Sequence, residues 1–353
     1  MRVGLYTTSV SPHQLPLARE IAKRVGTENF LYVYTENISA EREALGWTQL
    51  AKNEHFSVVG SDDSAAKGWI EECELLLVDL RDFELVERRL RKGLRTYYMS
   101  ERWWKPMPVK LACFNVLVGG WVRMLIPRYY QMCKRTARLF AASNFRYLPV
   151  GPWAKRDMMA ICKWFTGETY DEKMIPWGYF VAPSEDAGIG GLGSRDDVLK
   201  VLWVGRMVKL KRVDTIIRAI RQLGEGGRRV ELTLVGDGPE KKNLLRLAQG
   251  LPVCFVGKKS AAEVRKVIRC NDVLVFSSNG MDGWGAVVNE ALEEGIAAVG
   301  TYETGASAAL LPASNLYHCG DVKGLVKCLE RFVRIDMPYD YTAKGAAERV
   351  MAI

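Results

Sequence analysis

The chain has 353 residues, 48% hydrophobic and 26% charged, which supplies two ordinary domain cores and excludes a disordered chain. No apolar run reaches the roughly 18–20 residues that a membrane-spanning helix needs. The formal charge of +9 is unevenly placed: between Glu101 and Phe165 twelve basic residues face two acids, Glu101 and Asp157, so the remainder is close to neutral.

Taken in chain order, Arg2–Thr7 reads as a strand and Leu15–Arg24 as a helix by its apolar spacing. The opening Met1-Arg2-Val3-Gly4-Leu5-Tyr6 lacks the long apolar core and small-residue cleavage site of a secretion signal. Strands follow at Asn29–Thr35, Phe56–Val59 and Leu75–Asp79, the last almost continuously apolar, as in a parallel sheet buried on both faces. Asp82–Lys92 reads as a charged helix ending at Gly93, and Arg95–Met99 returns as a strand. Helical patterns dominate from Val109 through Lys163. Pro176, Pro183 and the run Gly188-Ile189-Gly190-Gly191-Leu192-Gly193 mark a linker at 176–196. From Val198 the alternation restarts, with strands at Val198–Val204, Glu231–Val235, Val253–Val256, Val273–Phe276 and Ala297–Gly300. The last segment, Asp340–Ile353, has a helical pattern. The fold class is therefore α/β: two Rossmann-like doubly wound domains, 1–175 and 197–335, facing a cleft, with a C-terminal helix in 336–353.

Eight scattered cysteines, none in a C-x-x-C pair, and only three histidines argue against a metal cage and for reduced thiols in a cytoplasmic protein. Within the basic stretch the charges alternate with Trp103, Trp104, Trp121, Tyr129, Tyr130, Trp153 and Trp164. That mixture suits an anionic membrane surface, where Lys and Arg meet lipid headgroups and Trp and Tyr sit at headgroup depth. A solvated helical face with ordinary core aromatics is the plainer reading, and nucleic acid is disfavoured because no recognition motif accompanies the charge.

Four short motifs close the strands of the second domain. They are Val204-Gly205-Arg206 with Lys211, Leu234-Val235-Gly236-Asp237-Gly238-Pro239, Phe255-Val256-Gly257-Lys258, and Asp282-Gly283-Trp284-Gly285 followed by Glu290. Each alone is weak; together they read as a pocket for a nucleotide diphosphate bearing a hydroxyl-rich group. A diphosphate needs cations, which Arg206 and Lys211 supply. Glycines let backbone N–H groups approach phosphate or sugar oxygens. Carboxylates accept the paired hydroxyls of a ribose or hexose, and Asp282 and Glu290 stand seven residues apart. A helix opening after Gly285 favours phosphate at its N-terminus.

At these motifs the sequence resembles the retaining glycosyltransferases of family 4, of the two-Rossmann-domain GT-B type. The resemblance is close from Leu199 to about Asp321 and loose elsewhere. It implies that Gly205, Arg206 and Lys211 bind the donor diphosphate, that Glu290 holds the ribose hydroxyls and that Asp282 faces the donor sugar. Arg206, Lys211 and Asp282 form the implied catalytic set, with Gly236, Lys258, Gly283, Trp284 and Gly285 lining the donor site. The family's usual pattern is Glu, seven residues, Glu, with Gly-Phe-Gly after the first acid. This chain has Asp282, one methylene shorter, and Trp284 in those places.

On the acceptor side, His13 and Glu101 each follow a first-domain strand, at the sheet edge where doubly wound folds bind ligands. A helix-start role for His13 and pairing of Glu101 with Arg102 or Lys105 are the structural alternatives. Asp237 is either a site residue or a turn residue, and Lys258 either a base contact or a solvated lysine. The expected activity is transfer of a sugar from a nucleotide-diphosphate sugar to a lipid-linked or cell-envelope glycan acceptor, without metal or other cofactor, on the cytoplasmic face of a membrane. A nucleotide-sugar epimerase and a non-catalytic membrane-surface binding protein are the alternatives.

Overall fold

The computed structural model describes residues 1–36, 54–79, 82–104, 124–182 and 197–352. The chain divides into two compact units, Met1–Phe180 with Tyr339–Ile353, and Val181–Pro338.

The first unit holds β1 (Val3–Thr7), β2 (Phe30–Tyr34), β3 (Ser57–Gly60), β4 (Leu75–Val78), β5 (Arg95–Ser100) and β6 (Phe145–Pro149). They pair in parallel in the order β3-β2-β1-β4-β5-β6. The order reverses between β1 and β4, which opens a crevice at their carboxyl ends. Every residue of β1 and of β4 is buried, as a sheet covered on both faces requires.

Local chemistry sets the helix boundaries. The first helix, α1 (Leu15–Val25), starts with Pro16 in its first turn and stops at Gly26, whose φ of 89° ends the helix. Asp63 caps α2 (Ser64–Glu72) through the amides of Ala65 and Ala66, and Asp82 caps α3 (Phe83–Arg91) through Leu85 N. Arg89 on α3 is fully buried. Its guanidinium donates to the carbonyls of Ile70 (2.7 Å), Cys73 (2.8 Å) and Arg95 (3.1 Å) and to Thr96 Oγ1 (3.1 Å), tying the end of α2 to β5. That satisfies a buried cation entirely with neutral acceptors.

The stretch from Val109 through Lys163, where helical patterns dominate, contains a strand. Its described part folds as α4 (Pro127–Leu139), then β6, then α5 (Pro152–Thr166). The first of these helices ends at Leu139, and in the turn that follows the Asn144 side chain donates to the carbonyls of Leu90 (3.2 Å) and Leu94 (2.9 Å). Phe145 and Tyr147 then bury on either side of Arg146, a strand alternation hidden between two strong helical signals. Residues 109–123 lie outside the described part.

The second unit holds β7 (Leu199–Val204), β8 (Val230–Val235), β9 (Val253–Gly257), β10 (Val273–Phe276), β11 (Ala297–Thr301) and the two-residue β12 (Leu316–Tyr317). Their order, β12-β11-β10-β7-β8-β9, repeats the connectivity of the first sheet, with its reversal between β7 and β10. The helices are α6 (Val213–Glu225), α7 (Lys241–Leu247), α8 (Ala261–Arg269), α9 (Val287–Glu293), α10 (Gly305–Leu310) and α11 (Val322–Arg331). On α6, Val213, Ile216, Ile217, Ile220 and Leu223 form one buried stripe at helical spacing. The last helix, α12 (Ala343–Ala352), belongs to the first unit, where Arg24 of α1 meets Glu348 at 2.7 Å.

Arg89→Ala strips four acceptors of their donor and is expected to cost about 3–5 kcal/mol. Arg24→Ala, at a partly exposed pair, is expected to cost at most about 1 kcal/mol. Urea unfolding of the two variants checks this, and equal losses would contradict it.

Candidate functional site

The carboxyl-edge loops of the second sheet are sewn together through their backbones. Gly205 N donates to Val235 O (3.0 Å), Met207 N to Asp237 O (2.8 Å), Gly236 N to Gly257 O (2.8 Å) and Glu240 N to Met207 O (3.0 Å). Gly236 has φ 124°, and a Cβ there would stand 1.9 Å from Gly205 O. These two glycines therefore do not offer their own N–H groups to a ligand, as the sequence suggests. They let adjacent loops approach until backbone meets backbone.

Upon that base the cations are placed. Lys211 ends a short 3-10 turn, Lys209–Lys211, and its ammonium forms an ion pair with Asp282 in the loop after β10. The two loops are also joined by Ser277 Oγ donating to Lys211 O (2.5 Å) and Asn279 N to Leu210 O (2.9 Å). Lys211 Nζ lies 5.3 Å from the centre of the Phe276 ring. The next residue, Arg212, has φ 47° and ψ 40°, a left-handed conformation uncommon for a residue with a side chain. Its guanidinium grips both oxygens of Asp214 at 3.0 and 3.2 Å, which holds the turn that presents Lys211. Arg206 is exposed on the same loop, and its side chain forms no hydrogen bond or ion pair among the described residues. The pair and the exposed guanidinium stand at the β7/β10 reversal.

Glu290 lies in the first turn of α9, half-buried. Burial pushes its carboxyl up to about 7, Glu294 adds to the rise, and Arg265 opposes it. Glu294 is fully buried but satisfied by Arg265 (3.0 Å) and Arg269 (2.8 Å). Glu290 has no hydrogen-bond partner for its side chain among the described residues. A half-buried carboxyl with no hydrogen-bond partner is an acceptor waiting for donors, which suits vicinal hydroxyls.

The loop between these acids is only partly as the sequence suggests. The Trp284 indole is 1% exposed, donates to Asn289 Oδ1 (2.7 Å) and supports the loop from inside, so its ring does not line a pocket. Gly285 has φ 99° and would drive a Cβ to 2.3 Å from the Phe276 ring. The N–H groups of Gly283 and Gly285 have no partner among the described residues, leaving two donors between Asp282 and Glu290. Asp237 is a turn residue: it accepts from the Gly238 amide (2.8 Å) and faces Lys241 (3.5 Å). Lys258 is exposed beyond β9.

In the first unit, His13 and Glu101 are brought together by a residue that sequence reasoning assigned to the linker. The Tyr179 ring stacks on His13, centroids 5.8 Å apart and planes 10° off parallel, and its hydroxyl donates to Glu101 Oε1 at 2.6 Å. Burial pulls His13 down to about 4, so its imidazole is neutral at pH 7. Arg102 does not pair with Glu101; it faces buried Asp157 at 3.4 Å, while Lys105 lies outside the described residues. At the β1/β4 reversal, Asp79 accepts from Thr8 N (2.9 Å), and burial pushes its carboxyl up to about 7. Its only sequence signal was an acid directly after an apolar strand.

Residues 199–334 match the family model described as Glycosyl transferases group 1. Sulfoquinovosyl transferase SQD2 of Arabidopsis thaliana is 27% identical over 154 residues, which are 42% of this chain and 29% of the relative. The lipopolysaccharide core biosynthesis glycosyltransferase LpsE of Rhizobium meliloti (strain 1021) is 31% identical over 143 residues, 39% of this chain and 40% of the relative. The chain thus spans less than half the length of the curated relatives it matches. Among solved structures, HepE of Anabaena in complex with UDP superposes with a TM-score of 0.63 at 16% identity, over 100% of this chain and 95% of its own. The two-sheet α/β fold is that of the GT-B glycosyltransferase structures.

The loop stitching predicts unequal effects for two glycines. Gly236→Ala is expected to cost at least about 2 kcal/mol, because neither backbone can retreat. Gly224→Ala, at the open end of α6 with nothing within 4 Å, is expected to be neutral or stabilising by up to about 1 kcal/mol. Thermal unfolding of both variants measures the difference.

Proposed function

We propose that this chain is a GT-B glycosyltransferase that moves a sugar, with retention, from a nucleotide-diphosphate donor to a hydroxyl of a lipid-linked or envelope glycan. The observation that carries the reading is the grouping of Arg206, the Lys211–Asp282 pair and the unpartnered Glu290 at the second sheet's reversal point. The family match over the same residues and the names of the curated relatives support it.

As the bond from the sugar to the diphosphate breaks, negative charge grows on the phosphate oxygens. Arg206 and Lys211 oppose that charge, and their positions are set before the reaction begins. Asp282 orients the Lys211 ammonium and stands where a donor-sugar hydroxyl could displace part of the pairing. Glu290 accepts the ribose hydroxyls. In this reading the departing diphosphate takes the proton of the incoming hydroxyl on the same face, and the cations make a divalent metal unnecessary. UDP is the first nucleotide to test, because the HepE structure holds it. On the acceptor side, the Glu101–Tyr179–His13 cluster offers a carboxylate and a neutral imidazole to a polyol. The protein would act on the cytoplasmic face of a membrane, held peripherally; no helix among the described residues is long and apolar enough to cross one.

Arg206→Ala and Lys211→Ala are each expected to lower sugar transfer, or donor hydrolysis, by about 10²–10³ while thermal unfolding stays near wild type. Full activity in both variants contradicts the reading.

Glu290 adds a pH test. Its folded value, about 7, lies above the ordinary 4.5, so ionising it costs stability progressively from pH 4.5 to 7, on the order of 3 kcal/mol in all. Hydroxyl donors favour the ionised form, so nucleotide binding below pH 7 must release a proton. UDP affinity is expected to rise about tenfold per pH unit up to pH 7 and then level off. Calorimetric titration of wild type and Glu290→Gln checks this; a slope that survives in Glu290→Gln assigns the proton elsewhere.

A further inference from the structure

The amino ends of β5 and β6 border a cleft of about 280 Å³, lined by Arg95, Tyr97, Ser143, Asn144 and Arg146. None of these is an acid. Parallel pairing sets Tyr97 beside Arg146, and strand alternation puts Arg95 on the same face as Tyr97. The Tyr97 side chain is 1% exposed, and no described residue meets hydrogen-bond geometry with its hydroxyl. Burial raises the pKa of that hydroxyl, while Arg95 and Arg146 lower it, so both cations act on the same point. A buried hydroxyl left unpaired is costly. At the floor of a cation-lined cleft it is a donor in place for an anion.

The rim is fixed and its charge is of one sign. Asn144 holds the carbonyls of Leu90 and Leu94, and Arg146 Nη1 donates to the carbonyls of Ser143 (2.8 Å) and Phe145 (2.8 Å). Nε and Nη2 of Arg146 have no partner among the described residues, and no described acid pairs with it. Arg95 donates to the neutral thioether of Met1 (2.6 Å). Glu74, whose carbonyl accepts from the Arg95 amide (3.1 Å), turns its carboxylate to Arg2 N (2.7 Å). Lys173 adds a third cation: its pKa is lowered first by burial and then by Arg146, with Glu172 opposing. Repulsion among these cations is relieved by an anion between them. Two guanidinium groups exceed what a carboxylate monoanion needs and match the charge of a phosphate.

We infer that the cleft between the starts of β5 and β6 binds a phosphate group, as the free ion or a monoester, with Arg95 and Arg146 opposing its charge and the Tyr97 and Ser143 hydroxyls donating to its oxygens. The site lies at the opposite end of β5 from Glu101, away from the carboxyl-edge crevice, and does not depend on the transfer chemistry.

The test uses the full chain in thermal unfolding and calorimetric titration with inorganic phosphate and with glycerol phosphate, against sodium chloride at equal ionic strength. Saturating phosphate is expected to raise the wild-type melting temperature by several degrees where chloride does not. Tyr97→Phe and Arg146→Gln are each expected to bind phosphate at least about tenfold more weakly. Tyr97→Phe removes one oxygen that has no partner, so its fold is unchanged and it decides the matter even if Arg146→Gln is unstable. Lys211→Ala is expected to keep the wild-type phosphate affinity, which separates this cleft from the cations of the second unit. Either order of affinity between the two probes supports the site, and the order assigns it to the free ion or to the monoester. No stabilisation of the wild type beyond that of chloride overturns the inference. So does wild-type affinity in Tyr97→Phe, or loss of phosphate binding in Lys211→Ala, which would place the anion in the second unit.

Discussion

The approach of Gly236 to the carbonyl of Gly205 is the constraint on which the second unit's site depends. Neighbouring parallel strands end in loops whose polar backbone must be satisfied without regular pairing. Here the loops satisfy one another: the β7 loop bonds to the end of β8 and to its loop, and the β8 loop bonds to the end of β9. No room remains for a side chain at 236. With its base held in this way, the β7 loop can end in a strained Arg212 and still present Lys211 to Asp282. A loose loop would relax the left-handed residue and spread the two cations apart.

The acids around this platform divide by what surrounds them. Glu294 is fully buried and held by two arginines, and it fastens α8 to the end of α9. Asp282 is partly open and bound to a lysine that also serves as a candidate ligand group. Glu290 is half-buried and without a hydrogen-bonding partner, so its proton stays on near neutrality. These three carboxylates thus have three roles, set by desolvation and partners and not by residue type. The first unit repeats the theme, with Asp79 raised by burial and Glu101 engaged by a tyrosine.

Much of the fold was legible because parallel strands, buried on both faces, appear as short, almost continuous apolar runs. Val273–Phe276 and Leu75–Val78 needed nothing more. The strand β6 was missed because its alternation spans only five residues between two amphipathic helices, and β12 because two residues carry no period. At the site, the spacing of Lys211, Asp282 and Glu290 reflects which strands adjoin at the reversal point, so topology made it readable. Tyr179 was not readable, because nothing in a proline-flanked segment announces that it returns to a sheet edge. Trp284 shows the converse. A conspicuous aromatic inside a glycine loop is a natural choice for a sugar platform, but its indole fills the space beneath the loop.

In the proposed function the second unit binds a nucleoside diphosphate through Arg206 and Lys211. Thermal unfolding of wild type and Lys211→Ala against UDP, GDP, TDP, ADP and CDP tests it most directly. A ligand at about a hundred times its dissociation constant adds about 2.7 kcal/mol of stability, which raises the melting temperature by several degrees. One diphosphate, UDP first among them, is expected to give that shift in wild type and none in Lys211→Ala. No shift with any of the five, or an equal shift in both proteins, would contradict it.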